Sequence, residues 1–498
     1  MIKIVGADEA RYIFEKRNQG REKDLEGKVS EIISRVRSEG DAALCGLSLE
    51  LDGVTLTDDN IRVPEEEIQQ ARETVGRDFL KAVKEAVGNI REYHQKQLLN
   101  SWIDFSREGV LLGQVIRPLD RVGIYVPGGK ASYPSSVLMN AIPAMVAGVR
   151  EIAMVTPPSG DGRVNIHTLA AAAEAGVTEV YRIGGAQAVA ALAYGTKTIR
   201  RVDKITGPGN KYVTMAKKLV FGAVDIDMLA GPSEVLVVAD SSANPAYIAA
   251  DLLSQAEHDE MASVVLVTPD RGLADAVAKE VEKQVKGLGR TGIAARAVKD
   301  YGAIIVTASL EEAVVLANSF APEHLELAVN DPYNWLPRIT AAGAVFMGHY
   351  TPEPVGDYIA GPNHILPTGG TARFFSPLGV DQFLKRISVI SYSRAALERE
   401  AGSIIKLAGV EGLDAHAKSV QIRLEQPSGP QSESMEKTGR GSLKQKSPGG
   451  SEKERAKEEI DAELKLPTGL PGFVNAGGSE DTGKMPGIPG LSGGESHK

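Results

Sequence analysis

The chain of 498 residues holds one cysteine, Cys45. Internal disulfides and a thiolate metal cage are thereby excluded, and a reducing cytoplasm is the expected location. It has no run of about 18 apolar residues, the length a membrane-spanning helix needs. Its opening, MIKIVGADEARYIFEKRNQGRE, has no apolar segment of the kind that marks a secretion signal. Neither export nor a membrane span is expected. An excess of positive charge is missing too. The net charge of -9 has the wrong sign for a general nucleic-acid binder, which must neutralise phosphates. Neither GxGxxG nor the P-loop pattern occurs, so no standard phosphate loop announces a nucleotide.

What is present is a globular composition, 42% hydrophobic and 24% charged, in a chain long enough for two or three domains with real cores. The character changes near residue 425, beyond which Gly, Pro, Ser, Lys and Glu dominate and Phe473 is the only aromatic. Such a segment cannot bury enough apolar surface to offset its ordering entropy, so residues 425–498 are expected to be a disordered tail. One piece has helical signals. Ser451 and Glu454 have capping-box spacing, and Ala456, Ile460 and Leu464 share a face. It reads as a docking helix or as a transient, solvated one.

From about residue 121 short apolar runs alternate with helical stretches. RVGIYVP, EIAMVTP, EVYRIGG and VDKITGPG read as buried strands, and the scheme restarts after GPSE with VLVVAD, SVVLVTPD, AIIVTAS, LELAV and AVFMG. Asn244-Pro245 marks a helix start, with an N-cap and a proline at the first position. Strands alternating with helices predict an α/β fold with largely parallel sheets, here as two Rossmann-like halves. Residues 22–100 read as mainly helical and charged, with His94 in REYHQKQ solvated, and 378–424 as a short helical segment. Ligands of open parallel sheets bind beyond the carboxyl ends of the strands. VPGGK (126–130), GGAQ (184–187), GPGN (207–210), GPSE (231–234), PEH (322–324) and the passage after Gly348 are expected to emerge there. Their glycines suit close approach to a phosphate, or serve only as turns.

The stretch SQAEHD (254–259) ends the apolar helix PAYIAADLL. Gln255 and His258, three apart, share a helix face. They could grip a metal, or mark a helix end dipping into water. Of the remaining histidines, His167 reads as a surface or boundary residue. His324 follows Glu323 directly in FAPEHLEL, and a carboxylate beside an imidazole offers two groups for proton transfer. A buried ion pair is the competing reading. Asp357, His364 and His416 add carboxylate and imidazole groups that suit zinc, but spacing alone does not assemble Gln255, His258, Asp357 and His416 into one site.

Taken together, RVGIYVPGGKASYPSSVLMNAIPA, RIGGAQAVAALAYGT, ITGPGNKYVTMAKK, GPSEVLVVAD, LLSQAEHD, FAPEHLEL, GDYIAGPNHILPT and EGLDAHAKSV closely resemble histidinol dehydrogenase, in the family's order, from residue 1 to about 424. The resemblance implies a cytoplasmic, zinc-dependent enzyme that takes L-histidinol to L-histidine through the aldehyde with two NAD, at the last step of histidine biosynthesis. It places one zinc per subunit on Gln255, His258, Asp357 and His416, and acid–base roles on Glu323 and His324. Substrate contacts fall on Ser233, His324, Glu411 and the zinc-binding residues, and NAD contacts on Tyr125, Gln187 and Asn210. It implies a homodimer whose C-terminal segment reaches its partner, so that Glu411 and His416 complete the other subunit's site. The expected domains are an N-terminal arm (1–21), a first Rossmann-like domain (22–124 with 233–377), a second (125–232) and a dimer-crossing segment (378–424). No partner is implied for the tail.

The residue chemistry agrees. Hydride leaves an alcohol as its proton is removed, a task for His324. Cys45, in DAALCGLSLEL, reads as a small buried hydrophobe, which leaves water, activated by Glu323, as the nucleophile on the aldehyde. Zinc would hold the substrate's imidazole and amino nitrogens. The rivals are a related zinc and NAD dehydrogenase of another small polar diol, and a non-catalytic zinc- or NAD-binding protein. Glu411 beside His416 favours an imidazole substrate, and a pure binding protein has no need of the Glu323–His324 pair.

Overall fold

The computed structural model describes residues 2–16, 24–128, 132–425 and 474–475. The predicted disorder and candidate helix of the tail lie outside these residues, apart from the two-residue strand Val474–Asn475. The backbone divides into two units, one of residues 1–98 with 118–385 and one of 99–117 with 386–498. Among the described residues no helix is long and apolar enough to cross a membrane.

The first unit is built on two wholly parallel sheets. The smaller runs Glu179–Tyr181, Glu151–Val155, Arg121–Tyr125, Lys204–Thr206, Asp225–Ile226. The larger runs Lys3–Gly6, Gly302–Val306, Ser263–Thr268, Glu234–Ala239, His324–Ala328, Ala344–Met347. The two share one winding. In each, the first strand of the βαβ series lies inside, the second and third stack on one side, and the fourth and fifth on the other. The larger sheet carries the N-terminal strand as an extra edge. EVLVVA and SVVLVT are buried at every position, as expected of strands covered by helices on both faces.

Four clusters of buried side chains cover the sheet faces. On the smaller sheet, one face packs Leu25, Val29, Val36 and Leu44 against Ala188, Leu192 and Val213. Its other face packs Ile68, Val83 and Ile90 against Leu138, Ile142 and Leu169. Helices Pro245–Ala256, Arg271–Gln284 and Thr291–Tyr301 cover one face of the larger sheet, and Leu310–Phe320 the other. The early helices therefore pack on the smaller sheet, not on the larger one with which residues 22–124 were grouped. Periodicity shows that a helix has an apolar face but not which sheet receives it. His94 is also corrected. It is fully buried, and its Nδ1 lies 2.8 Å from the Ile90 carbonyl; burial lowers its pKa. Cys45 is only partly buried.

The two sheets meet end to edge. The last strand of the smaller sheet finishes at Ile226 and the first βαβ strand of the larger starts at Glu234. Seven residues therefore link a carboxyl edge to an amino edge. Asn363 adds a second tie, its Nδ2 donating to the Met139 carbonyl at 2.7 Å. This corrects the expected position of two loops. GGAQ and GPGN leave the carboxyl edge of the smaller sheet, but GPSE and PEH enter the amino edge of the larger one, because Glu234 and His324 are the first residues of their strands.

The second unit holds strand Trp102–Asp104 and most of Val110–Pro118 and Leu384–Tyr392, with Val474–Asn475 at the edge. Helices Arg394–Val410 and Asp414–Glu425 follow. The Leu384–Tyr392 strand was not anticipated within a helical 378–424. Its residues are mostly exposed, so the alternation that signals a half-buried strand is missing.

Candidate functional site

Helix Pro245–Ala256 starts where the sequence indicated. The Asn244 side chain accepts the Ala246 N–H at 2.9 Å. The helix returns antiparallel to the strands, so its end lands beside the amino edge of the larger sheet. Gln255 there is 1% exposed while His258, just past the helix end, is exposed. The short helix Glu353–Tyr358 stands opposite, with Glu353 and Asp357 one turn apart on one face. Ligand atoms of His258, Glu353 and Asp357 lie within 4.8 Å of one another. The His258 imidazole and the Asp357 carboxylate are donors suited to zinc, so the residues present fit such an ion. Glu353 escaped the sequence analysis, although its i, i+4 spacing to Asp357 was a signal for it.

Glu323 and His324 occupy the same edge. The Glu234 backbone brackets both. Its N–H donates to Glu323 Oε2 at 2.9 Å, and its carbonyl lies 3.0 Å from His324 Nδ1. A carbonyl can only accept, so Nδ1 carries the proton and Nε2 is the basic nitrogen. Nε2 is buried with no hydrogen-bond partner among the described residues, and Glu353 Oε1 lies 3.9 Å away. Burial lowers the His324 pKa to about 4, so the imidazole is neutral. Burial likewise pushes the Glu323 carboxyl well above its usual range, against the opposing hydrogen bond from Glu234. Ser233 immediately precedes the strand, its carbonyl accepting from Ser263 at 3.0 Å.

The carboxyl edge of the smaller sheet holds the three residues assigned to NAD. Tyr125 is buried, and its hydroxyl accepts the Gly185 N–H at 3.1 Å; burial raises its pKa to about 12. Asn210 caps helix Lys211–Val220, accepting from Tyr212 and Val213 at 3.0 and 3.2 Å. Gln187 is 1% exposed, yet its Oε1 has no partner among the described residues. An orphaned amide oxygen at the start of a helix beside a glycine loop fits a hydroxyl-rich cofactor. Some of the glycines serve the fold itself. A Cβ at Gly207 would stand 2.1 Å from the Tyr125 carbonyl oxygen, and one at Gly184 would stand 2.5 Å from Pro157.

Under this loop lies a buried ion pair that the sequence did not announce. Lys217 bonds Asp227 and donates to the Gly207 carbonyl at 2.9 Å, while Asp227 accepts the Gly207 N–H at 2.7 Å. Glu411 and His416 are exposed and belong to the second unit. Among the other histidines, His364 Nδ1 lies 3.2 Å from the Asp357 carbonyl, and His349 bonds Ser242 at 3.1 Å. His167 packs edge-on against Phe79. The partly buried Cys45 thiol has a raised pKa, first through burial and then through Asp58 and Asp41, and so is a poor nucleophile.

The family profile described as histidinol dehydrogenase matches residues 15–424. The histidinol dehydrogenase of Moorella thermoacetica is 55% identical over 425 residues, covering 85% of this chain and 100% of that protein. That of Heliobacterium mobile is 57% identical over 398 residues, covering 80% and 93%. The crystal structure of histidinol dehydrogenase from Elizabethkingia anophelis superposes with a TM-score of 0.81 at 39% identity, covering 85% of this chain and 98% of that one.

Proposed function

The chain belongs to the histidinol dehydrogenase family, and from that premise we propose how its side chains carry the oxidation of L-histidinol to L-histidine. It is an NAD-linked oxidoreductase of histidine biosynthesis. Alcohol to acid is a four-electron change, so two NAD are reduced in turn and water supplies the second carboxyl oxygen.

One observation carries the assignment of the base: the Nδ1–H of His324 is committed to the Glu234 carbonyl at 3.0 Å, which leaves Nε2 buried, basic and unpartnered. Nε2 takes the hydroxyl proton as hydride departs to NAD. Glu353 Oε1, 3.9 Å away, then stabilises the imidazolium. The second oxidation begins from the hydrated aldehyde. Glu323 is the base that activates the water, with its Oε2 anchored on the Glu234 N–H. A carboxyl raised by burial has a proton affinity better matched to that task near neutral pH.

Gln255, His258 and Asp357 would hold the zinc, with the partner subunit's His416 completing the set. The bound ion would hold the substrate's imidazole and amino nitrogens. Ser233 and the partner subunit's Glu411 would contact the substrate, and Tyr125, Gln187 and Asn210 the NAD. The exposure of Glu411 and His416 on the second unit supports their use by a neighbouring subunit of a homodimer. The single-cysteine composition supports a cytoplasmic location.

Turnover tests the assignment. His324→Ala slows both oxidations by about 10²–10⁴-fold with its zinc retained. Glu323→Gln chiefly slows the oxidation of histidinal supplied directly. Normal histidinal oxidation by Glu323→Gln removes Glu323 from the water step, and near-normal histidinol turnover by His324→Ala removes His324 as the base.

A further inference from the structure

Glutamine is an uncommon metal ligand for a physical reason. Its amide is neutral, its oxygen and nitrogen are nearly the same size, and an unrestrained side chain presents either end. A glutamine that ligates must therefore have its nitrogen held elsewhere. Gln255 meets this condition. With its nitrogen toward Glu353, the amide stands 2.8 and 2.7 Å from Oε1 and Oε2. In the opposite orientation its oxygen would face those same carboxylate oxygens, acceptor against acceptor. His324 Nδ1, at 3.2 Å from that nitrogen, is no competing acceptor, because it already donates to the Glu234 carbonyl. Both residues are buried, Gln255 at 1% and Glu353 at 2% exposure, so water does not substitute for the missing partner.

We infer that Glu353 is a positioning residue for the metal: it binds the Gln255 amide nitrogen and so turns the amide oxygen outward for ligation. The inference rests on the reading of Gln255 as a ligand. Glu353 is close enough to His258 and Asp357 to be counted with them as a donor, but the contacts to the amide occupy both of its oxygens. Its near neighbour Ser254 adds a third contact, at 3.5 Å from Oε2. Glu353 also begins its helix, where the helix dipole favours a carboxylate.

The test is a double-mutant cycle on zinc affinity, measured by chelator competition with the full-length protein, alongside the visible spectrum of the cobalt-substituted forms. Glu353→Leu removes the acceptor and weakens zinc binding about 10–100-fold, the usual effect of losing a group behind a metal ligand. Its cobalt spectrum shifts toward that of Gln255→Ala. Because Glu353 acts through Gln255, the double variant binds zinc no more weakly than Gln255→Ala alone. Losses that add would make Glu353 a ligand in its own right and overturn the inference. So would an unchanged affinity and spectrum in Glu353→Leu beside a weakened Gln255→Ala. Undiminished zinc binding by Gln255→Ala would instead overturn the ligand reading beneath it. If Glu353→Leu does not fold, the nearly isosteric Glu353→Gln, which keeps one acceptor oxygen, carries the test. It is expected to weaken zinc binding by less than the roughly 10–100-fold of a full loss, and no loss overturns the inference.

Discussion

Replacing Lys217 by methionine should loosen the cofactor side of the site without touching the chemistry. The Lys217 and Asp227 side chains are 3% and 1% exposed. Removing one partner of a buried ion pair leaves the other charge uncompensated, at about 3–5 kcal/mol. Asp227 keeps two backbone donors, Gly207 at 2.7 Å and Met228 at 2.6 Å, which argues for the lower end of that range. The Gly207 carbonyl, however, loses its 2.9 Å bond from Lys217, adding about 1 kcal/mol. The total is roughly 4 kcal/mol. A cooperative unit of about 370 residues unfolds with an entropy near 0.8 kcal/mol per kelvin, so the melting temperature should fall by about 4–5 °C. Because the pair clamps both the N–H and the carbonyl of Gly207, three residues before Asn210, the KM for NAD should rise while zinc content stays unchanged. Differential scanning calorimetry and NAD-dependent rates check this. A shift under about 1 °C together with an unchanged KM would refute the reasoning, since it would leave the buried charge without an energetic consequence.

Three further outcomes are expected. His258→Asn purifies with depleted zinc and without turnover while its circular dichroism is retained; full zinc occupancy removes His258 from the ligand set. Burial raises the Glu179 pKa but Arg121 and Tyr181 more than offset it, so the net shift is downward; its stabilising contribution is present above the unfolded value and fades as pH falls from about 5. The melting-temperature gap between wild type and Glu179→Gln should thus narrow from pH 6 to about pH 3.5, and a constant gap speaks against the ion pair as its source. Co-expressing His258→Asn and His416→Asn chains should restore about a quarter of wild-type activity, because half the dimers are mixed and each mixed dimer has one intact site; mixed dimers that form but stay inactive place His416 in its own subunit's site.

What the sequence could reveal followed from what local pattern encodes. The central strands, the Asn244-Pro245 helix start and the two βαβ series were legible because burial on both faces and capping both leave marks within a few residues. Candidate site residues stood out where a distinctive motif carried them, as in SQAEHD and PEH. Glu353 was missed, since its i, i+4 spacing to Asp357 recurs on any polar helix and no motif set it apart. His94 was misread too. REYHQKQ is polar around it, yet its imidazole turns inward onto the Ile90 carbonyl.

The reversed edge is the most instructive miss. The rule that ligands gather beyond the carboxyl ends of parallel strands comes from single sheets whose helix connections leave a crevice there. In this chain GGAQ and GPGN do leave the carboxyl edge of the smaller sheet. The larger sheet is joined to that same edge by only seven residues, from Ile226 to Glu234, a span of at most about 29 Å even fully extended. So short a link brings the amino edge of one sheet to the carboxyl edge of the other. His324, Glu323 and the helix end that carries Gln255 and His258 therefore collect at the amino edge. The length of that link was in the sequence, and it argued for this arrangement more directly than the general rule argued against it.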